Sequence, residues 1–233
     1  MIWTGSRIRS PNRYEIKFRG RLGPENGDDK AVRILNRLVW WDTKGVHYEA
    51  DQRHADLIVK MLGVKGKASV SSPGVKPSDD KDEEYDDEFL DPNRSSLYRA
   101  IVARANYLSQ DRLDIKYAVK ELCRWMSKPR NKDWRRLVRL IGRERYVHAY
   151  DQDAVRKVTV WSDTDYAGCR ETRKSTSGGL IMLGTHLIKG WSSTQKVIAL
   201  SSGEAEYCGL IKGAPEGMGM KSLLQDLNAP LAR

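Results

Sequence analysis

Cysteine and histidine are scarce in this sequence, with three and four among 233 residues. Cys123, Cys169 and Cys208 are odd in number, far apart and in no CxxC pair, so neither a disulfide framework nor a structural zinc site is expected. His47, His54, His148 and His186 add no zinc-ligand spacing. Such usage suits free thiols in a reducing compartment, the cytoplasm or the nucleus. Long apolar runs are missing as well. No stretch reaches the roughly 18 residues that a membrane span needs, so no membrane partner is expected. The N-terminal stretch MIWTGSRIRSPNRYEIKFRGR lacks the apolar core of a secretory signal.

Charge is abundant instead. Charged residues make up 31% of the chain against 39% hydrophobic, and the net charge is +10 with a pI near 9.5. That balance favours a polyanionic partner, nucleic acid above all. Its layout divides the chain. Nine acids and one lysine fill Asp79–Asp91, and with the preceding KASVSSPGVKPS this reads as an acidic linker over residues 66–93. From Arg94 to Tyr150, fifteen Lys and Arg residues face five acids, giving a basic segment over residues 94–150.

Periodicity supplies the elements. Before the linker, VRILNRLVWWD, TKG and VHYEA predict a strand, a turn and a strand, followed by a helix over QRHADLIVKML capped by Asp51 and stopped by Gly63. Three helical patterns follow the linker, on Leu97/Ile101/Ala105/Leu108, Ile115/Val119/Leu122/Met126 and Trp134/Leu137/Val138/Ile141. From Lys157 the period becomes two, which predicts strands at 158–163, 178–183 and 186–191. Ser201 or Ser202 then caps a helix through GEAEYCGLIK, and Ser201 with Glu204 has capping-box spacing. Gly209, Gly213, Gly217, Gly219 and Pro215 together cost a helix about 7 kcal/mol, which predicts a break near Gly213–Pro215. The fold class is α+β: a small β-hairpin–helix unit over residues 1–65, the linker, a basic helical segment, and over residues 151–233 a three-stranded antiparallel meander plus helix.

Asp163 at a strand end and Glu206 in the first turns of the next helix are the natural pair of carboxylates. Two readings stand on the residues alone. They are ordinary surface charges, or they converge around a hard divalent cation such as Mg²⁺, which would offset their repulsion. Arg170, Arg173, Lys174 and Ser175 form a cationic, hydroxyl-bearing turn between the first two strands, suited either to phosphate contact or to plain solvation. The arginines of the third helical pattern, Arg135, Arg136 and Arg139, admit the same two readings.

The phrases YRAIVARANYLSQDRLDIKYAVKELCRWMSKP, WSDTDYAGCRETRKSTSGGLIMLG and ALSSGEAEY resemble the C-terminal third of the Pol polyprotein of copia-type LTR retrotransposons. The first is similar to the segment joining reverse transcriptase to ribonuclease H. The other two are similar to the opening strands and first helix of the ribonuclease H. The stretch through YEADQRHADLIVKMLG resembles the last part of the reverse transcriptase. The resemblance implies a partial ribonuclease H-like fold, Mg²⁺-dependent cleavage of RNA in RNA/DNA hybrids, and the remainder of Pol as a partner. Asp163 and Glu206 would be its first two catalytic, metal-binding carboxylates, while Asp165 and Glu204 match no catalytic position. The family's third and fourth carboxylates would fall after Arg233, and no YxDD-type pair marks a polymerase site. The expectation is therefore an incomplete ribonuclease H that does not cleave, with a non-catalytic nucleic-acid-binding module or a decayed transposon product as alternatives. The edge of the first strand, which a further strand covers in that family, is expected to lie open.

Overall fold

The computed structural model describes residues 20–63, 88–140, 147–150 and 157–227; most of the acidic run, residues 79–87, lies outside them. Among the described residues seven strands and five helices follow in an α+β order, with two antiparallel sheets. The first sheet runs β1 (Ala31–Ile34), β2 (Arg37–Asp42), β3 (Gly45–Glu49), β4 (Val147–Tyr150). The sequence VRILNRLVWWD, expected as one strand, is two. It folds back at Leu35 and Asn36, whose φ values of 49° and 64° make a tight hairpin turn. Glycine usually marks such a turn, and its absence hid this one.

Helix α1 (Gln52–Leu62) begins at Asp51, which accepts a hydrogen bond from the Arg53 amide, and ends at left-handed Gly63. Helices α2 (Pro92–Leu108), α3 (Leu113–Arg124) and α4 (Asn131–Leu140) pack with it around Tyr98, Ile101, Val102, Val119 and Leu137, all fully buried. The Tyr98 hydroxyl is satisfied by the Leu122 carbonyl at 2.9 Å. The basic residues of these helices lie mainly off this core. Acidic Asp133, by contrast, is fully buried beside Tyr98, where it accepts the Arg130 amide at 3.0 Å and closes the start of α4. Strand β4 (Val147–Tyr150) comes next in the chain, an element the basic helical pattern did not reveal. Four residues long, β4 pairs with β3 from Val46↔Tyr150 to Glu49↔Val147.

The second sheet is the expected meander, β5 (Val158–Asp165), β6 (Thr176–Leu183) and β7 (His186–Thr194), with β5 outermost on one side. Helix α5 (Ser202–Asp226) lies across it. Half of the capping box forms: the Ser201 hydroxyl accepts the Glu204 amide, while the Glu204 carboxylate accepts the amide of Leu200, one residue before the cap. The expected break does not occur, because α5 runs 25 residues through Pro215. Packing explains why. A Cβ on Gly209 would stand 2.6 Å from Thr164 Oγ1, and one on Gly217 2.7 Å from Val160 Cγ2; Gly213 meets Val160 at 3.4 Å. Glycines at four-residue spacing let the helix backbone settle onto β5, and the packing gained there offsets their propensity cost. Pro215 is on the exposed side, where the Ile211 carbonyl it leaves without a donor is within reach of water.

Two outcomes follow. Urea unfolding should show Gly209→Val destabilised by about 1–3 kcal/mol through overpacking, whereas Gly219→Ala, with open space at its Cβ, should gain up to about 1 kcal/mol. Burial holds the Asp133 carboxyl above the usual carboxylate range, against the Arg130 amide and the Arg136 charge. A raised folded value means that its contribution to stability is complete below the ordinary Asp value of about 3.9 and fades as pH rises through the raised value. Unfolding series at stepped pH should show this decline, and Asp133→Asn should flatten it.

Candidate functional site

Side-chain alternation along β5 decides where its acids go. Val160, Ser162 and Thr164 face α5, as the glycine contacts show. Trp161, Asp163 and Asp165 therefore project from the other face. There Asp163 and Asp165 line a hollow of about 250 Å³ between the sheet and α3, with Tyr117, Thr176 and Leu180 among its walls. Glu206 is carried on the opposite side. It follows inward-facing Ala205 by about 100° around the helix, whereas Lys212 precedes inward-facing Gly213 by the same angle and reaches Ser193 of β7. Glu206 thus lies on the flank of α5 away from β7, over the free side of β5. The two acids approach one edge from opposite faces, both exposed, and the structure does not gather them in the hollow.

This arrangement does not by itself fit a magnesium cage. Among the described residues no three His, Cys, Asp or Glu side chains converge, and Mg²⁺ demands near-octahedral oxygen donors.

The face bearing Asp163 is fastened to the helical unit by α3. Lys120 Nζ donates to Thr176 Oγ1 at 2.8 Å, cross-strand from Asp165, and lies over the Tyr117 ring. Arg124 donates to the Cys169 sulfur. Gly190 of β7 admits Leu113, whose Cδ1 would lie 2.8 Å from any added Cβ. Sequence reasoning passed over Lys120 and Arg124, since at four-residue spacing they look like any solvated helix face.

The turn after β5 is compact, with Ala167 and Arg173 at positive φ. Ser175, expected to meet a phosphate, is fully buried: its hydroxyl accepts the Ala167 amide at 3.0 Å and its carbonyl accepts the Gln195 amide. Its hydroxyl closes the turn and has no surface to offer a ligand. Arg170 and Arg173 are exposed, and Lys174 is half-buried. On α4, Arg135 and Arg139 lie exposed one turn apart, while half-buried Arg136 approaches Asp133 at 3.6 Å. Burial raises the Cys169 thiol, but the Thr172 hydroxyl and amide and the Arg124 guanidinium outweigh it and hold Cys169 below the ordinary thiol value.

A second polar junction lies at Asp111, in the α2–α3 turn. Its carboxylate accepts Arg37 Nε at 2.8 Å and the Tyr48 hydroxyl at 2.5 Å, and its carbonyl lies 2.8 Å from His148 Nε2. Tyr150 stacks on His148, meets His186 edge-on at 5.5 Å, and donates to the Leu187 carbonyl.

Similarity to known proteins agrees with the quoted phrases. The chain is 34% identical over 128 residues to the uncharacterized mitochondrial protein AtMg00810 of Arabidopsis thaliana, covering 52% of each. It is 32% identical over 142 residues to the retrovirus-related Pol polyprotein from transposon RE2 of the same plant, and 30% identical over 193 residues to that from transposon RE1. These matches cover 58% and 81% of this chain but only 10% and 13% of the polyproteins. Over much of its length the chain is similar to copia-type retrovirus-related Pol polyproteins. It spans about half of the mitochondrial relative and about a tenth of the polyproteins. No protein-family model matches it. No solved structure matches it.

Thiol chemistry checks the α3 junction. Cys169 should be alkylated by iodoacetamide at neutral pH faster than Cys123, whose thiol burial pushes up. Arg124→Met should slow Cys169 and leave Cys123 unchanged, read by peptide mass spectrometry.

Proposed function

We propose that this chain is the part of a copia-type Pol protein that joins the end of the reverse transcriptase to a ribonuclease H-like unit. On this reading it holds RNA/DNA hybrid without cutting it. One observation carries the proposal: α3 of the basic helical unit is fastened onto the sheet face that bears Asp163, so cationic helices and acid-bearing strand form one body. Arg135 and Arg139 on α4, with Arg170 and Arg173 in the turn after β5, supply exposed positive charge for phosphates. The net charge of +10 acts in the same direction at longer range.

In this reading Asp163 and Glu206 are two acids of a ribonuclease H-type centre and hold no catalytic Mg²⁺ unaided, since the described residues bring no third donor to them. The remainder of Pol is the natural partner of such a segment, and the three free cysteines suit a cytoplasmic or nuclear setting. The glycines of α5 are no mark of a decayed product, because three of them are packing positions.

Fluorescence anisotropy with a labelled RNA/DNA hybrid tests the proposal. Affinity should fall steeply as salt rises, and Arg135→Ala or Arg170→Ala should each reduce the salt slope by about 1. Affinity independent of salt removes the binding role. Incubation of the same hybrid with Mg²⁺ should leave it intact, and turnover lost on Asp163→Asn would show that the chain cleaves after all.

A further inference from the structure

Four cations share one flank of α4. Lys132, Arg135, Arg136 and Arg139 stand at the i, i+3, i+4 and i+7 spacing that places side chains on one helix face. At 1.5 Å of rise per residue the stripe is about 10 Å long. Arg135 and Arg139 are exposed and Lys132 and Arg136 half-buried, while Asp133, the one acid in the sequence of α4, is turned into the core. Like charges at this spacing repel one another and weaken a helix. A polyanion laid along the stripe would turn that repulsion into attraction.

The chain carries its own polyanion. Residues 79–87 read DDKDEEYDD, seven acids against one lysine. They lead directly to Glu88, whose carbonyl accepts the Asn131 amide at 3.0 Å, while the Leu90 amide donates to the Pro129 carbonyl at 3.0 Å. Between these bonds Phe89 pairs with Arg130 in antiparallel sense. Antiparallel pairing fixes a direction: backbone upstream of Glu88 heads the way the chain goes after Asn131, which is along α4. Nine residues can span up to about 30 Å, well beyond the length of the stripe.

We infer that the cationic flank of α4 is the docking surface of the acidic run 79–87 of the same chain, which there competes with nucleic acid. Sign, tether and reach select this occupant. Anchored at Glu88 beside the start of α4, the run has an effective concentration in the millimolar range. Ion pairs that are weak one by one then suffice, provided several form together. The consequence for RNA/DNA hybrid rests on Arg135 and Arg139 being phosphate contacts, as proposed above. A flank occupied about nine-tenths of the time binds hybrid about tenfold more weakly.

Anisotropy with the labelled hybrid and carbodiimide crosslinking test the inference on the full chain. Glu83→Gln, Glu84→Gln, Asp86→Asn and Asp87→Asn together should tighten hybrid binding by about tenfold. They should also steepen its salt dependence, because the flank then releases counterions instead of exchanging one polyanion for another. In an Arg135→Ala/Arg139→Ala background the same four changes should gain less than about twofold, since the two sites are coupled. Arg139→Lys places an amine at the far end of the stripe. Carbodiimide should join it to an acid among residues 79–84 of the same molecule in low salt, and not near 1 M, where the screening length is about 3 Å. Equal hybrid affinity with and without the four acids overturns the inference. So does a gain undiminished in the double-alanine background, which would mark long-range charge alone. An absent crosslink overturns it too, as does one that joins isotope-labelled to unlabelled copies, which would make the occupant the run of a second molecule. Binding by neither chain removes the hybrid-holding role itself, and the docking of the run is then decided by the crosslink.

Discussion

The close seat of α5 on β5 is the contact on which the rest of the C-terminal unit depends. Three glycines one turn apart remove the side chains that would hold helix and strand apart, and Thr164 Oγ1 can then donate to the Ala205 carbonyl. Once that face is committed to the helix, alternation sends Trp161, Asp163 and Asp165 to the other. The acids are where they are because the small residues are where they are. Gln195 locks the same corner, donating to both the Ser177 hydroxyl and the Ala205 carbonyl from a buried position.

Two polar junctions give the helical unit its hold on both sheets. Asp111 gathers Arg37 of β2, Tyr48 of β3 and the His148 ring of β4, while Lys120 and Arg124 reach the strand end and turn of the second sheet. The Arg37 and Asp111 side chains are only 17% and 11% exposed, so removing one leaves a largely buried charge without its partner. Tyr150 extends the connection, since the strand that completes the first sheet also touches β7. Orientation of the acid-bearing sheet is therefore set by the helices and by β4 together.

Much of this was legible in the residues. The period-two runs gave β5, β6 and β7, Asp51 and Ser201 marked helix starts with side chains that accept helix amides, and Gly63 marked a helix end by its left-handed backbone. What escaped was non-local or chemically unusual. The Leu35–Asn36 turn has the geometry of a glycine turn without glycine. Four-residue β4 is a strand only because β3 offers it an edge. The glycines of α5 carry an unfavourable propensity that only the facing strand reverses, and Ser175 is indistinguishable in sequence from a solvated loop serine. The pairing of Asp163 with Glu206 was read from neighbouring elements; the face each occupies needed the register.

Strand β4 has one more implication, for synthesis. Val46 finds Tyr150, 104 positions further along the chain, so the first sheet cannot close while the ribosome is still translating the helices. Until then β3 waits with a bare side, and loop closure over that span must be met before the pairing rewards it. The helical bundle, built from local contacts, has time to form first. Its Asp111 then presents a ready-made anchor for the late-arriving His148, so the order of emergence from the tunnel and the order of assembly coincide.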